Sequence, residues 1–235
     1  QMARLAGKKL DGLIVYDIQD ESSRTSEPRP FPFMQTYPAQ KYVDTYLAAL
    51  EIPKVVYRSV GNYTKEAFSA WVQSLDNKDT FSVFVGAPSK DQQVNITLHE
   101  AYHAMMQAGE NAFLGGVTIP ERHQSKADEH LRIAQKEDHG CRFFVSQCVY
   151  STNHSKNFLA DYYYHCKETG RPMSPIIFTL TPCGSEKTLD FMHWLGIDIP
   201  RWMALELKHS HDILEQSVEM CKNTAQELYD YASEK

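Results

Sequence analysis

GCRFFVSQCVY, residues 140–150, reads as a buried β-strand: Phe143, Phe144, Val145, Cys148 and Val149 make a nearly continuous apolar run. The helical pattern ADEHLRIAQKED precedes it and NHSKNFLADYYYHCKE follows it. A strand held between two helices predicts a parallel sheet covered on both faces. Gln147 stands out as a polar amide near the carboxyl end of that strand, which in parallel α/β folds is where ligands bind. The same amide would equally satisfy a neighbouring loop, and the run alone leaves both readings open.

Working outward, five more short apolar runs read as strands: residues 13–16 (LIVY), 55–57 (VVY), 81–85 (FSVFV), 112–119 (AFLGGVTI) and 175–180 (PIIFTL). Between them lie helical patterns over residues 39–50, 65–75, 97–107, 126–138, 156–169 and 187–195. The first places Tyr42, Val43, Tyr46, Leu47 and Leu50 on one face, and the second does so with Phe68, Trp71, Val72 and Leu75. Thr64 and Ser185 suit helix starts, and Gly170 and Gly196 suit helix stops. Strand–helix alternation with no break in composition predicts one α/β domain over residues 1–235.

The loops that follow the strands carry the unusual residues, as expected of a working carboxyl face. The first, residues 17–38, holds four prolines and mixed charges and suits a lid or rim, with Glu21 and Arg24 read as a solvated pair. The others are PERH, residues 120–123, and TPCGSEK, residues 181–187.

A chain of 235 residues with 42% hydrophobic and 23% charged residues is long enough to bury a full core. Its net charge of -6 offers no global attraction to nucleic acid or an anionic membrane, so an anionic ligand needs local groups. No apolar run approaches a membrane span. The five scattered cysteines lack CxxC spacing and fit a reducing compartment, and the expected location is cytoplasmic.

One motif competes for attention. His99-Glu100-Ala101-Tyr102-His103 fits H-E-x-x-H, which on a helix sets two histidines on one face for zinc with the glutamate as general base. A third ligand is needed, and Met106 stands where the metzincin glycine belongs. Glu110 or His123 would have to fold back across a strand to complete the set. The segment is better read as an outer crossover helix carrying two histidines, and no metal is expected.

Three stretches together resemble the methylenetetrahydrofolate reductases, flavin-dependent TIM barrels of one-carbon metabolism. They are GVTIPERH at residues 116–123, GCRFFVSQCVY, and KTLDFMHWLGIDIPRWM at residues 187–203. The first half matches more loosely, through LIVYD, SSRT and FVGAP. The resemblance implies a TIM (β/α)8-type barrel that reduces 5,10-methylenetetrahydrofolate to 5-methyltetrahydrofolate. Hydride would pass from NADH or NADPH through FAD. Gln147 stands where the family has its pterin-binding glutamine, and a side-chain amide suits the donor–acceptor edge of a pterin. His123 and Lys136 stand near positions that hold the flavin's phosphates and ribityl chain. Tyr57 and Gly86 fall at flavin-contacting positions, Tyr57 in place of a histidine. The expected partners are the folate and the nicotinamide nucleotide, with self-association open.

Departures from the family pattern bear on the cofactor. Val85-Gly86-Ala87 replaces an Arg-Gly-Asp run whose aspartate tunes the flavin and contacts folate. Ile119 replaces a tyrosine that packs on the flavin, and Arg132 and Gln135 stand near positions of an asparagine and an arginine. These changes imply weakened or absent FAD binding, and they favour the alternative of a folate-binding or regulatory barrel without reductase activity.

A closed barrel needs eight strands, and six are counted. Residues 2–10 are too short and basic to add one before LIVY, and after IPRWM the chain reads as helix. The expectation is an incomplete barrel, lacking the family's first strand and the catalytic glutamate it carries, so no catalytic residue is assigned.

Overall fold

The structure, a computed structural model, describes residues 2–22, 25–75, 80–86, 93–107 and 113–235. Arg24, Ala87 and Glu110, each named above, lie outside the described residues.

Six strands form one parallel sheet in the order β1 to β6: β1 (Leu13–Val15), β2 (Lys54–Ser59), β3 (Thr80–Val85), β4 (Phe113–Thr118), β5 (Phe143–Cys148) and β6 (Ile176–Thr179). Sequential order with a helical crossover after each strand is the winding of a TIM-type barrel, here with six strands. All six expected strands are present. The apolar runs alone locate them: β2 and β5 are buried over most of their length, and strands covered on both faces lack alternation.

The helices are α1 (Met2–Leu5), α2 (Ala39–Tyr46), α3 (Lys65–Gln73), α4 (Leu98–Gln107), α5 (Pro120–Lys126), α6 (Glu129–Asp138), α7 (Thr152–Thr169), α8 (Glu186–Trp194), α9 (Arg201–His209) and α10 (Ile213–Ser233). None of the described helices is long and apolar enough to cross a membrane. Thr64 caps α3 by accepting the Ala67 N–H at 3.2 Å, and Ser185 caps α8 by accepting the Thr188 N–H at 3.2 Å. Gly170 ends α7 at φ 69°, a left-handed conformation that costs glycine little. Ser185→Ala should therefore lower stability by about 1 kcal/mol, read from chemical denaturation, with no change in ligand binding.

Two sequence expectations need correction. PERH is not a loop: Pro120 starts α5 as its first residue, where a missing N–H costs nothing and the fixed φ suits a helix. The single helix expected over residues 126–138 is broken at Ala127, whose φ of 48° ends α5 and lets α6 begin at Glu129.

Contacts gather the chain into two compact units: residues 1–24, 33–116 and 137–142, and residues 25–32, 117–136 and 143–235. In the first, Ala39, Val43 and Leu47 of α2 pack on Val56 of β2. Phe84 of β3 stacks on Tyr102 of α4 with ring centroids 5.9 Å apart. Arg58 lies in the middle of this unit at 2% exposure, its guanidinium 3.7 Å from the centre of the Trp71 ring. It donates to Tyr63, Ser82 and Gln40, which answers the requirement that a buried cation be hydrogen-bonded. In the second unit, Tyr150, Leu189, Met192, Ile199, Leu207 and Met220 belong to one apolar cluster drawn from α8, α9, α10 and the chain around them. The segment 25–32 of the proline-rich loop is tied to α8: Trp194 donates through Nε1 to the Glu27 carbonyl at 3.0 Å, and Arg29 lies over the Phe191 ring.

Candidate functional site

The site is built where β4 and β5 end. Along β5 the residues Phe143, Phe144, Val145 and Ser146 are buried, and Gln147 and Cys148 are half-buried. Pairing with β6 runs Val145 to Ile177 and then Cys148 to Thr179, so three residues of β5 span two of β6. This is a bulge at Ser146-Gln147, a device that re-aims side chains at the rims of barrels. Ser146 makes the cross-strand bonds there: its hydroxyl accepts the Thr179 N–H and its carbonyl accepts the Thr179 hydroxyl, both at 2.8 Å. The Gln147 side-chain amide makes no hydrogen bond among the described residues. The loop-satisfying role left open by the sequence is thus filled by Ser146 rather than by Gln147.

Glu121 faces the same strand end. Pro120 starts α5 directly after β4, so the first-turn side chain falls at the carboxyl edge of the sheet. Its Oε1 accepts the backbone N–H of Tyr150 at 3.4 Å, and its Oε2 is buried with no hydrogen-bond partner among the described residues. Burial, helped by the like charges of Asp198 and Glu129, pushes the Glu121 carboxyl up to about 7. Within GVTIPERH nothing about the Glu121 side chain itself marks it as a site residue. The available signal was the strand end followed at once by a proline-led helix.

A second glutamate fixes this corner. Glu129, wholly buried, accepts from the Thr118 hydroxyl at 3.1 Å, the Ile119 N–H at 2.9 Å and Arg122 Nε at 2.7 Å. Its bond to Arg122 makes an ion pair whose carboxylate is wholly buried and whose cation is half-buried. It therefore joins the end of β4, the first turn of α5 and the start of α6.

The residues assigned through the family resemblance fall in different surroundings. His123, in the last turn of α5, is buried; its Nδ1 accepts the Glu129 N–H at 3.3 Å and its Nε2 donates to Asp161 at 2.9 Å. Lys136 donates to the carbonyl of Val117 in β4. Tyr57 is a buried residue of β2 whose ring centre lies 4.4 Å from that of Tyr16. Gly86 follows β3, and a Cβ there would meet only the Leu98 side chain at 3.8 Å, an ordinary contact. These groups do not fit a flavin as the resemblance places it. His123 has both nitrogens engaged within the fold, and Tyr57 is packed in the core, so no step is derived through FAD.

His99 and His103 sit on the exposed face of α4. Glu100 between them serves the helix start: it accepts the N–H and hydroxyl of Thr97, and Thr97 Oγ1 accepts the Glu100 N–H in return. This is a capping box, and the helix-wall reading of H-E-x-x-H has its physical cause in it. Lys65, 2.8 Å away, does most to pull the Glu100 carboxyl down to about 2, with Thr97 adding to it. Among the described residues, the one set whose donor atoms converge is His123, His130 and Asp161, all within 4.8 Å of one another. His123 spends both nitrogens on hydrogen bonds there, which leaves no lone pair for a metal. We predict that replacing His99 and His103 by alanine together changes neither metal content nor ligand affinity. Stoichiometric zinc in a chelator-washed preparation, lost in the double variant, would contradict this.

A cleft of about 270 Å³ lies beside the site, between the start of α7 and helices α9 and α10. Tyr150, whose N–H is given to Glu121, forms part of its wall, and Trp202, Glu206 and Gln216 line it further.

No family model and no curated protein matches the chain. Among solved structures it is similar to an uncharacterized protein from Clostridium thermocellum that binds two copies of 5-methyl-5,6,7,8-tetrahydrofolic acid. That match has 44% identity and a TM-score of 0.85 over 99% of this chain and 76% of the other. Fainter likenesses are to an oxaloacetate acetylhydrolase, at 13% identity and TM-score 0.42 over 94% of this chain and 86% of that one, and to 2,3-dimethylmalate lyase, at 13% identity and TM-score 0.43 over 98% and 89%.

Proposed function

The chain belongs to the same family as the Clostridium thermocellum protein, and from that membership we propose that it is a reduced-folate-binding protein. The ligand class is 5-methyltetrahydrofolate, and the pterin ring lies at the carboxyl ends of β4 and β5. The observation that carries this reading is the relative's binding of the methylated folate, at 44% identity over nearly the whole chain. The geometry agrees with it. A pterin presents a row of donors and acceptors along one edge, and Gln147 offers an amide donor and acceptor with no partner among the described residues. The bulge at Ser146-Gln147 supplies the local cause of that freedom.

Binding is the proposed activity. Hydride transfer from NADH or NADPH through FAD is a separate expectation drawn from the resemblance, and flavin absorption bands in the purified protein would support it. The binding reading is tested by calorimetric titration with 5-methyltetrahydrofolate at pH 8. Saturable heat at a defined stoichiometry is expected. Absence of saturable heat up to about millimolar ligand, the weak end of specific affinity, overturns it.

A further inference from the structure

Resting on the folate reading above, we propose that Glu121 is the group that pairs with the donor edge of the pterin, its N3–H and 2-amino group, and that this pairing makes folate affinity depend on pH. An ionised carboxylate is the complement of two parallel N–H donors, as in other bidentate carboxylate pairs. Glu121 supplies such a carboxylate at the carboxyl end of β4. Its Oε2 is buried without a partner among the described residues, while Oε1 has one 3.4 Å contact with the Tyr150 N–H. A buried acceptor left in this state is satisfied by a ligand that brings donors.

The groups facing Glu121 set the direction of the pH effect. Cys148 and Tyr150 face it from the end of β5, Glu129 from α6 and Asp198 from the segment before α9. The cation of this corner, Arg122, pairs with Glu129, and the Nδ1 of His154 stands 3.7 Å from Asp198. No lysine or arginine among the described residues is hydrogen-bonded to Glu121. The free carboxyl therefore holds its proton up to about pH 7. A ligand that pairs with the ionised form must displace that proton, so affinity rises with pH until the carboxyl is fully ionised.

The test is calorimetric titration of 5-methyltetrahydrofolate into wild type, Glu121→Gln and Glu121→Asp between pH 5.5 and 8. For the wild type, ionisation near pH 7 predicts affinity about thirtyfold weaker at pH 5.5 than at pH 8, from the shrinking ionised fraction. Glu121→Gln should bind at least about tenfold more weakly at pH 8, since its amide turns an N–H toward the pterin's own donors, and should lose this pH dependence. Glu121→Asp should weaken binding while keeping the dependence. The raised pKa favours the protonated folded form, so its stabilisation is present below the ordinary carboxylate range and lost as pH rises through about 7. Glu121→Gln should accordingly melt no lower than wild type at pH 8, which separates lost affinity from lost fold. Equal affinity of Glu121→Gln and wild type at pH 8, or a flat wild-type profile, overturns the role of Glu121 alone. No binding by the wild type at any pH overturns the folate reading and this proposal with it.

Discussion

Glu129→Ala should destabilise the protein by about 2–4 kcal/mol, the cost of leaving a buried hydroxyl and a backbone N–H without an acceptor and a half-buried cation without its partner. Glu129 is fully buried, and it accepts from Thr118, the Ile119 N–H and Arg122. Alanine removes every acceptor at once. It leaves a cation that is 28% exposed, a buried hydroxyl and a backbone N–H without their acceptor. For a chain of this length the loss corresponds to a melting point lower by roughly 10 °C. Glu129→Gln is the informative companion. It can keep the bonds from Thr118 and Ile119 and loses chiefly the charge opposite Arg122, so it should cost less than alanine. Chemical denaturation of the two variants checks this ordering. Equal and small losses for both would mean that the corner after β4 is held by packing rather than by this carboxylate. The variant also bears on function, because Glu129 fixes the turn that presents Glu121.

Gln147→Ala should weaken 5-methyltetrahydrofolate binding by about tenfold to a hundredfold, or roughly 1–3 kcal/mol, the cost of losing a bidentate amide contact. Stability should hardly change. The Gln147 amide bonds to nothing among the described residues, and the cross-strand bonds of the bulge belong to Ser146 and Thr179. Gln147→Ala should thus change affinity without stability, whereas Glu129→Ala should change stability first. Calorimetry and denaturation on the same preparations separate them. Unchanged affinity in Gln147→Ala would remove this residue from the pterin site.

The inner strands were legible because burial on both faces leaves apolar runs that few other structures produce, as in residues 140–150 for β5. The outer strands β1 and β6 are only half-buried and were legible from their apolar residues alone. Helix ends were less legible where they depend on one backbone angle. Ala127 adopts φ 48° without being glycine, so nothing in its side chain announces the break between α5 and α6. The start of α7 at Thr152 follows from Ser151 accepting the His154 N–H, a cap that precedes the expected start by several polar residues. Arg58 within KVVYRS was unreadable as a core residue. Its burial depends on Trp71, Tyr63, Gln40 and Ser82, which are brought together only by folding.

The site shows the same division. Gln147 was visible as one polar residue at the end of an apolar strand. Glu121 was not, because its importance comes from burial and from the absence of a cation beside it, and neither is written in PERH. Within Thr97-Leu98-His99-Glu100 two patterns share one glutamate: the capping box and H-E-x-x-H. The hydrogen bonds assign it to the cap.

The central claim is that a reduced folate is held at the carboxyl ends of β4 and β5. A crystal structure of the protein soaked or grown with 5-methyltetrahydrofolate tests it most directly. The expected result is a pterin edge within hydrogen-bond distance, about 2.7–3.2 Å, of the Gln147 side-chain amide. A pterin bound elsewhere on the chain, with the Gln147 amide in contact with solvent only, would contradict it.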